Sequence, residues 1–95
     1  MYLNNNKLKV IPKEIGELEN LEYLVIGKNS LTEIPIEIGQ LSSLISLNLV
    51  NSGPNITIPE SIVDLKSLEY LLIDKSIQLP YSISSIGSRL QIVVK

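Results

Sequence analysis

Cysteine and histidine are both absent from this 95-residue chain. Their absence excludes disulfides, thiol catalysis, Cys/His zinc sites, haem ligation through either residue and any Ser-His-Asp triad. Phenylalanine, tryptophan and alanine are missing too, so a core must come from the 16 Leu and 15 Ile. Positive charge is scarce: 8 basic against 10 acidic residues leave a formal net charge of −2. No basic excess exists to hold nucleic acid or an anionic membrane. No apolar run approaches the roughly 18 residues of a membrane span, and no membrane insertion is expected. Met1-Tyr2-Leu3-Asn4-Asn5-Asn6 lacks the cationic-then-apolar pattern of a signal peptide. A chain complete as given would therefore be cytoplasmic; a piece of a longer one would leave the compartment open. The 44% apolar and 19% charged residues are the balance of one globular domain.

What the chain does have is a repeat. Ile-Pro-x-Glu-Ile-Gly-x-Leu stands at Ile11–Leu18 and again 23 residues on, at Ile34–Leu41. Looser copies follow at Ile58–Leu65 and Leu79–Ile86, after spacings of 24 and 21. Between them runs a second string, Leu21-x-x-Leu24-x-Ile26-x-x-Asn29-x-Leu31. It returns from Leu44 to Ser52 and from Leu68 to Ser76.

This is the pattern L-x-x-L-x-L-x-x-N-x-L, and over essentially its whole length the chain resembles the leucine-rich repeat family. Its Ile/Leu-Pro tails resemble bacterial 23-residue repeats and the intracellular repeats linked to Ras-type signalling. The third repeat, with Gly53, Ile58 and Pro59, leans toward the plant extracellular variant, a drift that the neighbouring repeats do not share. The resemblance implies an α/β solenoid: a short right-handed arc with a parallel concave sheet of about five strands and short helical or 3₁₀ turns on the convex side. Full repeats are expected at 21–43, 44–67 and 68–89, with partial ones at 1–20 and 90–95.

Counted from the first Leu of each repeat, positions 1, 4, 6, 11, 14, 18 and 21 face inward and are aliphatic. The alignment needs gaps near Gly53–Asn55, Ser76–Leu79 and Gly87–Arg89. It puts Leu90 at position 1, Val93 at position 4 and Lys95 at position 6 of the last repeat. Position 9 turns the coil: Asn6 and Asn29 carry an amide able to satisfy enclosed backbone groups, whereas Ser52 and Ser76 are shorter substitutes. Pro12, Pro35, Pro59 and Pro80 are expected at the first helical position, with Glu14, Glu37 and Glu60 in the same turn.

The pattern begins at position 4 and ends at position 6, without capping repeats of polar outer face. Two expectations follow, a piece cut from a longer array and a homo-oligomer paired through its ends. Leu90, Ile92, Val93 and Val94 form the candidate self-association edge, a strand apolar on both faces.

Outward strand positions line the concave face. Tyr23, Ser46, Tyr70 and Ile92 are assigned to position 3, and Tyr2, Val25, Asn48, Leu72 and Val94 to position 5. Lys28 and Lys75 stand at position 8. Tyrosine supplies rigid area with a polar tip and is enriched at binding hot spots. The candidate partner-binding residues are therefore Tyr2, Tyr23, Val25, Lys28, Ser46, Asn48, Tyr70, Leu72 and Lys75. Strand propensity alone also favours Tyr, Val and Leu at such sites.

Other motifs fail on inspection. Gly27-Lys28-Asn29-Ser30 lacks the upstream glycine of a phosphate loop. Asn55-Ile56-Thr57 is a sequon that matters only in a secreted eukaryotic protein. Glu14, Glu17 and Glu19 fall on a convex turn with no group to polarise them, and Asp64 and Asp74 read as isolated carboxylates. No catalytic, metal or cofactor set emerges, and no enzyme is expected. The expected function is a non-catalytic module binding a protein or peptide on its concave face. The alternative is a structural repeat segment of a larger signalling or effector protein.

Overall fold

The computed structural model describes residues 9–27, 29–53 and 56–95. Among them four short strands make one parallel sheet in chain order: β1 (Tyr23–Val25), β2 (Ser46–Asn48), β3 (Tyr70–Ile73) and β4 (Gln91–Val94). About five strands were expected; Tyr2, assigned above to an outward strand position, lies outside the described residues. Each strand is preceded by one 3₁₀ helix, at Lys13–Glu17, Ile36–Gln40, Glu60–Asp64 and Tyr81–Arg89. A second, thinner ladder joins Glu33, Thr57 and Gln78 through single parallel bridges. The coils of β1, β2 and β3 thus pair their backbones with one another at two places.

The 3₁₀ helices start one residue later than the sequence suggests. All four prolines are N-caps with ψ near 149–154°, extended and not yet helical. Their fixed φ suits that position, and each carbonyl takes the first helical bond, as in Ile15 N–H to Pro12 C=O at 3.1 Å.

The inward positions are dry. Leu24, Leu47 and Leu71, then Ile26, Leu49 and Ile73, are buried beneath the sheet. Leu31, Ile56 and Ile77 follow at the turn, and Ile38, Ile62, Leu41 and Leu65 under the 3₁₀ side. Burial falls off toward both ends of the described residues: Leu18 is 37% exposed, and Leu79, Ile83 and Ile86 are half-buried.

The two irregular turns are rebuilt. Asn29 behaves as position 9 requires, its Nδ2 donating to Ile26 C=O at 2.8 Å and to Gly27 C=O at 3.3 Å. Ser52 does not: it is fully buried and its hydroxyl has no partner among the described residues. Its carbonyl instead accepts from Leu31 N–H at 2.8 Å. The next residue, Gly53, lies so close to the Leu31 carbonyl that an added Cβ would sit 1.9 Å from its oxygen. Only glycine allows that approach. Ser76 turns outward and donates to Asp74 at 2.5 Å.

The last coil is in a different register from the one the sequence suggested. β4 pairs Tyr70 with Gln91, Leu71 with Ile92, Leu72 with Val93 and Ile73 with Val94. Ile92 and Val94, not Val93 and Lys95, therefore hold positions 4 and 6, and Arg89, not Leu90, holds position 1. The cause is Gly87, at φ 79° and ψ −158°, a region essentially closed to other residues. The chain bends there. Arg89 swings back to donate to the carbonyls of Lys66 and, at 3.2 Å, Leu65. Leu90, one residue later, packs against the core in its place. The run Leu90–Val94 is apolar at both parities, so hydrophobicity could not choose between registers one residue apart.

Candidate binding face on the concave sheet

Parallel register places side chains in rows across the sheet. Partners in a parallel ladder stand on the same face, so Tyr23, Ser46, Tyr70 and Gln91 form one row. Val25, Asn48, Leu72 and Val93 form the next. The face is thus two ridges with a trough between them. Tyr23 and Val25 rise from β1, Tyr70 and Leu72 from β3, and the shorter polar Ser46 and Asn48 floor the trough on β2. Adjacent strands lie about 4.7–4.9 Å apart, so the ridges are about 9.5 Å apart at the backbone.

The two tyrosines stand proud, 56% exposed at Tyr23 and 42% at Tyr70. Val25, Leu72, Ser46 and Asn48 are half-buried. Asn48 is held in place, its Oδ1 accepting from Val50 N–H at 3.1 Å. Lys75 is exposed at the strand C-terminal rim. Tyr2 and Lys28 lie outside the described residues. Ile92, assigned by sequence to this face, stands on the core side, as does Val94, and their places are held by Gln91 and Val93. Tyr81, the remaining tyrosine, is fully exposed at the start of the last 3₁₀ helix.

The rim carries a residue that the sequence reading dismissed. Asp74 accepts hydrogen bonds from Asn51 N–H at 2.7 Å, Ser76 N–H at 3.0 Å and Ser76 Oγ. These bonds, the Ser76 hydroxyl first, hold its carboxyl below the ordinary carboxylate value. It is a tie between turns, not a reactive group. Asn51 there has φ 61°, left-handed backbone that asparagine tolerates well. The only advance signal was the spacing Asp-x-Ser, an Asx-type turn.

At the strand N-termini lies an open depression of about 390 Å³ lined by Glu22, Ser43, Ile45, Lys66, Ser67, Glu69 and Arg89. Its charges are mixed, and the Arg89 guanidinium is engaged with backbone carbonyls. Among the described residues no group of three or more acidic side chains could hold a metal ion. No helix among them is long and apolar enough to cross a membrane.

A profile described as leucine-rich repeat region matches residues 1–92. The chain belongs to the leucine-rich repeat family. A solved leucine-rich repeat protein of Leptospira interrogans superposes with a TM-score of 0.73 at 34% identity. The match covers 94% of this chain but 23% of that one, so this leucine-rich repeat chain spans about a quarter of the length of its structural relative. No curated protein matches it. Membership puts the chain among repeat modules of the protein-interaction class.

Proposed function

We propose that this leucine-rich repeat domain is a non-catalytic module that binds a protein or peptide on its concave face. The observation that carries the reading is the row Tyr23–Ser46–Tyr70, two exposed aromatic ridges flanking a polar floor. Tyrosine in that setting gives contact area at low entropic cost, and the floor supplies hydrogen-bond donors for selectivity. Sheet propensity accounts for tyrosine on a strand. Their sharing one row follows from the repeat, which sets position 3 of successive coils on the same face.

The test is a random peptide library panned against the immobilised chain, with the selected peptides titrated against Tyr70→Ala and Tyr23→Ala. Each substitution is expected to weaken binding about tenfold, which is about 1.4 kcal/mol, while leaving the melting temperature unchanged. Peptides that bind both variants as well as the parent would refute a concave-face site.

The second reading, a structural segment of a larger multidomain protein, draws on the fourfold greater length of the Leptospira relative. It gains ground if panning selects nothing.

A further inference from the structure

We propose that the occupant of the concave face is an extended peptide segment bearing a Lys or Arg, whose charged side chain seats between two Glu-Tyr pairs at the start of β1 and β3. This rests on the concave-face reading and names the chemistry of the partner. The chain carries the same four residues twice, Leu21-Glu22-Tyr23-Leu24 and Leu68-Glu69-Tyr70-Leu71, in coils two apart. The coil between them reads Leu44-Ile45-Ser46-Leu47, with neither charge nor ring.

Backbone pairing sets these residues side by side. Glu22 C=O accepts from Ile45 N–H at 2.7 Å and from Ser46 N–H at 3.1 Å, and Glu69 N–H donates to Ile45 C=O at 2.8 Å. Glu22, Ile45 and Glu69 thus form a row of their own, one residue before Tyr23, Ser46 and Tyr70. Both glutamates are exposed and Ile45 is half-buried. All three line the depression at the strand N-termini. Two strand spacings, about 9.5 Å, separate the flanking backbones and leave room for one side chain between them.

The chemistry of that gap suits a cation. The aliphatic stem of a Lys or Arg can lie on Ile45 while its charged head stays at the wet rim. There it meets two carboxylates, and hydrogen bonds assisted by charge are the strong ones. Tyr23 and Tyr70, next along each strand, offer aromatic rings to the same charge. Among the described residues neither carboxylate is taken up by a hydrogen bond or an ion pair. Lys66 and Arg89 also line the depression, from the turns before β3 and β4. The Arg89 guanidinium is already held by the Lys66 and Leu65 carbonyls. An acidic segment would bring its charge against Glu22 and Glu69, so the face discriminates by sign. Further coils on either side would lengthen the sheet without covering this face.

Two displayed peptide libraries test it, random except for a central residue fixed as Lys or Arg in one and as Glu in the other. The first is expected to yield binders of the chain and the second none. Glu22→Gln and Glu69→Gln should each weaken those binders about threefold, and together about tenfold. Glu60→Gln, the same change of charge at an exposed site on the 3₁₀ side, should leave them unchanged. All three glutamates are exposed, so an unaltered melting temperature is expected to show the fold intact in each variant. Binders that tolerate the double variant, or that come equally from both libraries, would overturn the basic-residue proposal. Their response to Tyr70→Ala would then still decide whether they sit on the concave face. Equal weakening by Glu60→Gln would overturn it too, as an effect of overall charge. No binder from either library would overturn both readings.

Discussion

The carboxylate of Asp74 accepts the Asn51 N–H at 2.7 Å, tying the third turn of the solenoid to the second across 23 residues of chain. It also holds Ser76, so one side chain does for two turns what a position-9 asparagine does for one.

Asp74→Ala should cost about 0.5–1.5 kcal/mol, the net worth of ordinary hydrogen bonds at an exposed site. The sign of its pH dependence follows from its depressed pKa. The contribution is present in full above the unfolded value of about 3.9 and is lost as pH falls through the lower folded value. Urea unfolding of parent and variant should therefore differ at neutral pH and converge in acid. A gap that widened in acid would contradict the assignment.

Burial sets the second expectation. Leu47 lies at the centre of the sheet, fully buried between two coils. Leu47→Ala should lose about 2–5 kcal/mol, transfer plus cavity. A denaturation midpoint within error of the parent would mean that the coils collapse around the deletion.

Ser52 offers the opposite sign. Its hydroxyl is buried without a partner among the described residues, and such a group carries a desolvation cost of about 1–3 kcal/mol. Ser52→Ala should leave the melting temperature equal or higher. A clear fall would reveal a bond from the hydroxyl that the structure lacks.

How far the sequence reached can be judged residue by residue. Positions 4 and 6 of the first three strands were legible because one face of each is buried, which fixes the register. The 3₁₀ side was legible from the four prolines and the Ile/Leu three apart. Asn29 was legible because an amide alone has the reach and the donors for that turn. Asp74 was not, because its partners come from another coil and from a turn shortened by deletion. Arg89 was not, because Gly87 bends the chain in a way that residue type permits but does not announce.

The sequence by itself determined the solenoid, its repeat length and its aliphatic core, since periodic burial is written in spacing. Only the tertiary structure decided two things: the tie from Asp74 to Asn51 and the parity of β4. Each depends on which residues stand opposite one another in neighbouring coils. Opposition is set by backbone pairing after insertions and deletions are absorbed in the turns, and Leu90–Val94, apolar at both parities, leaves that choice to the fold.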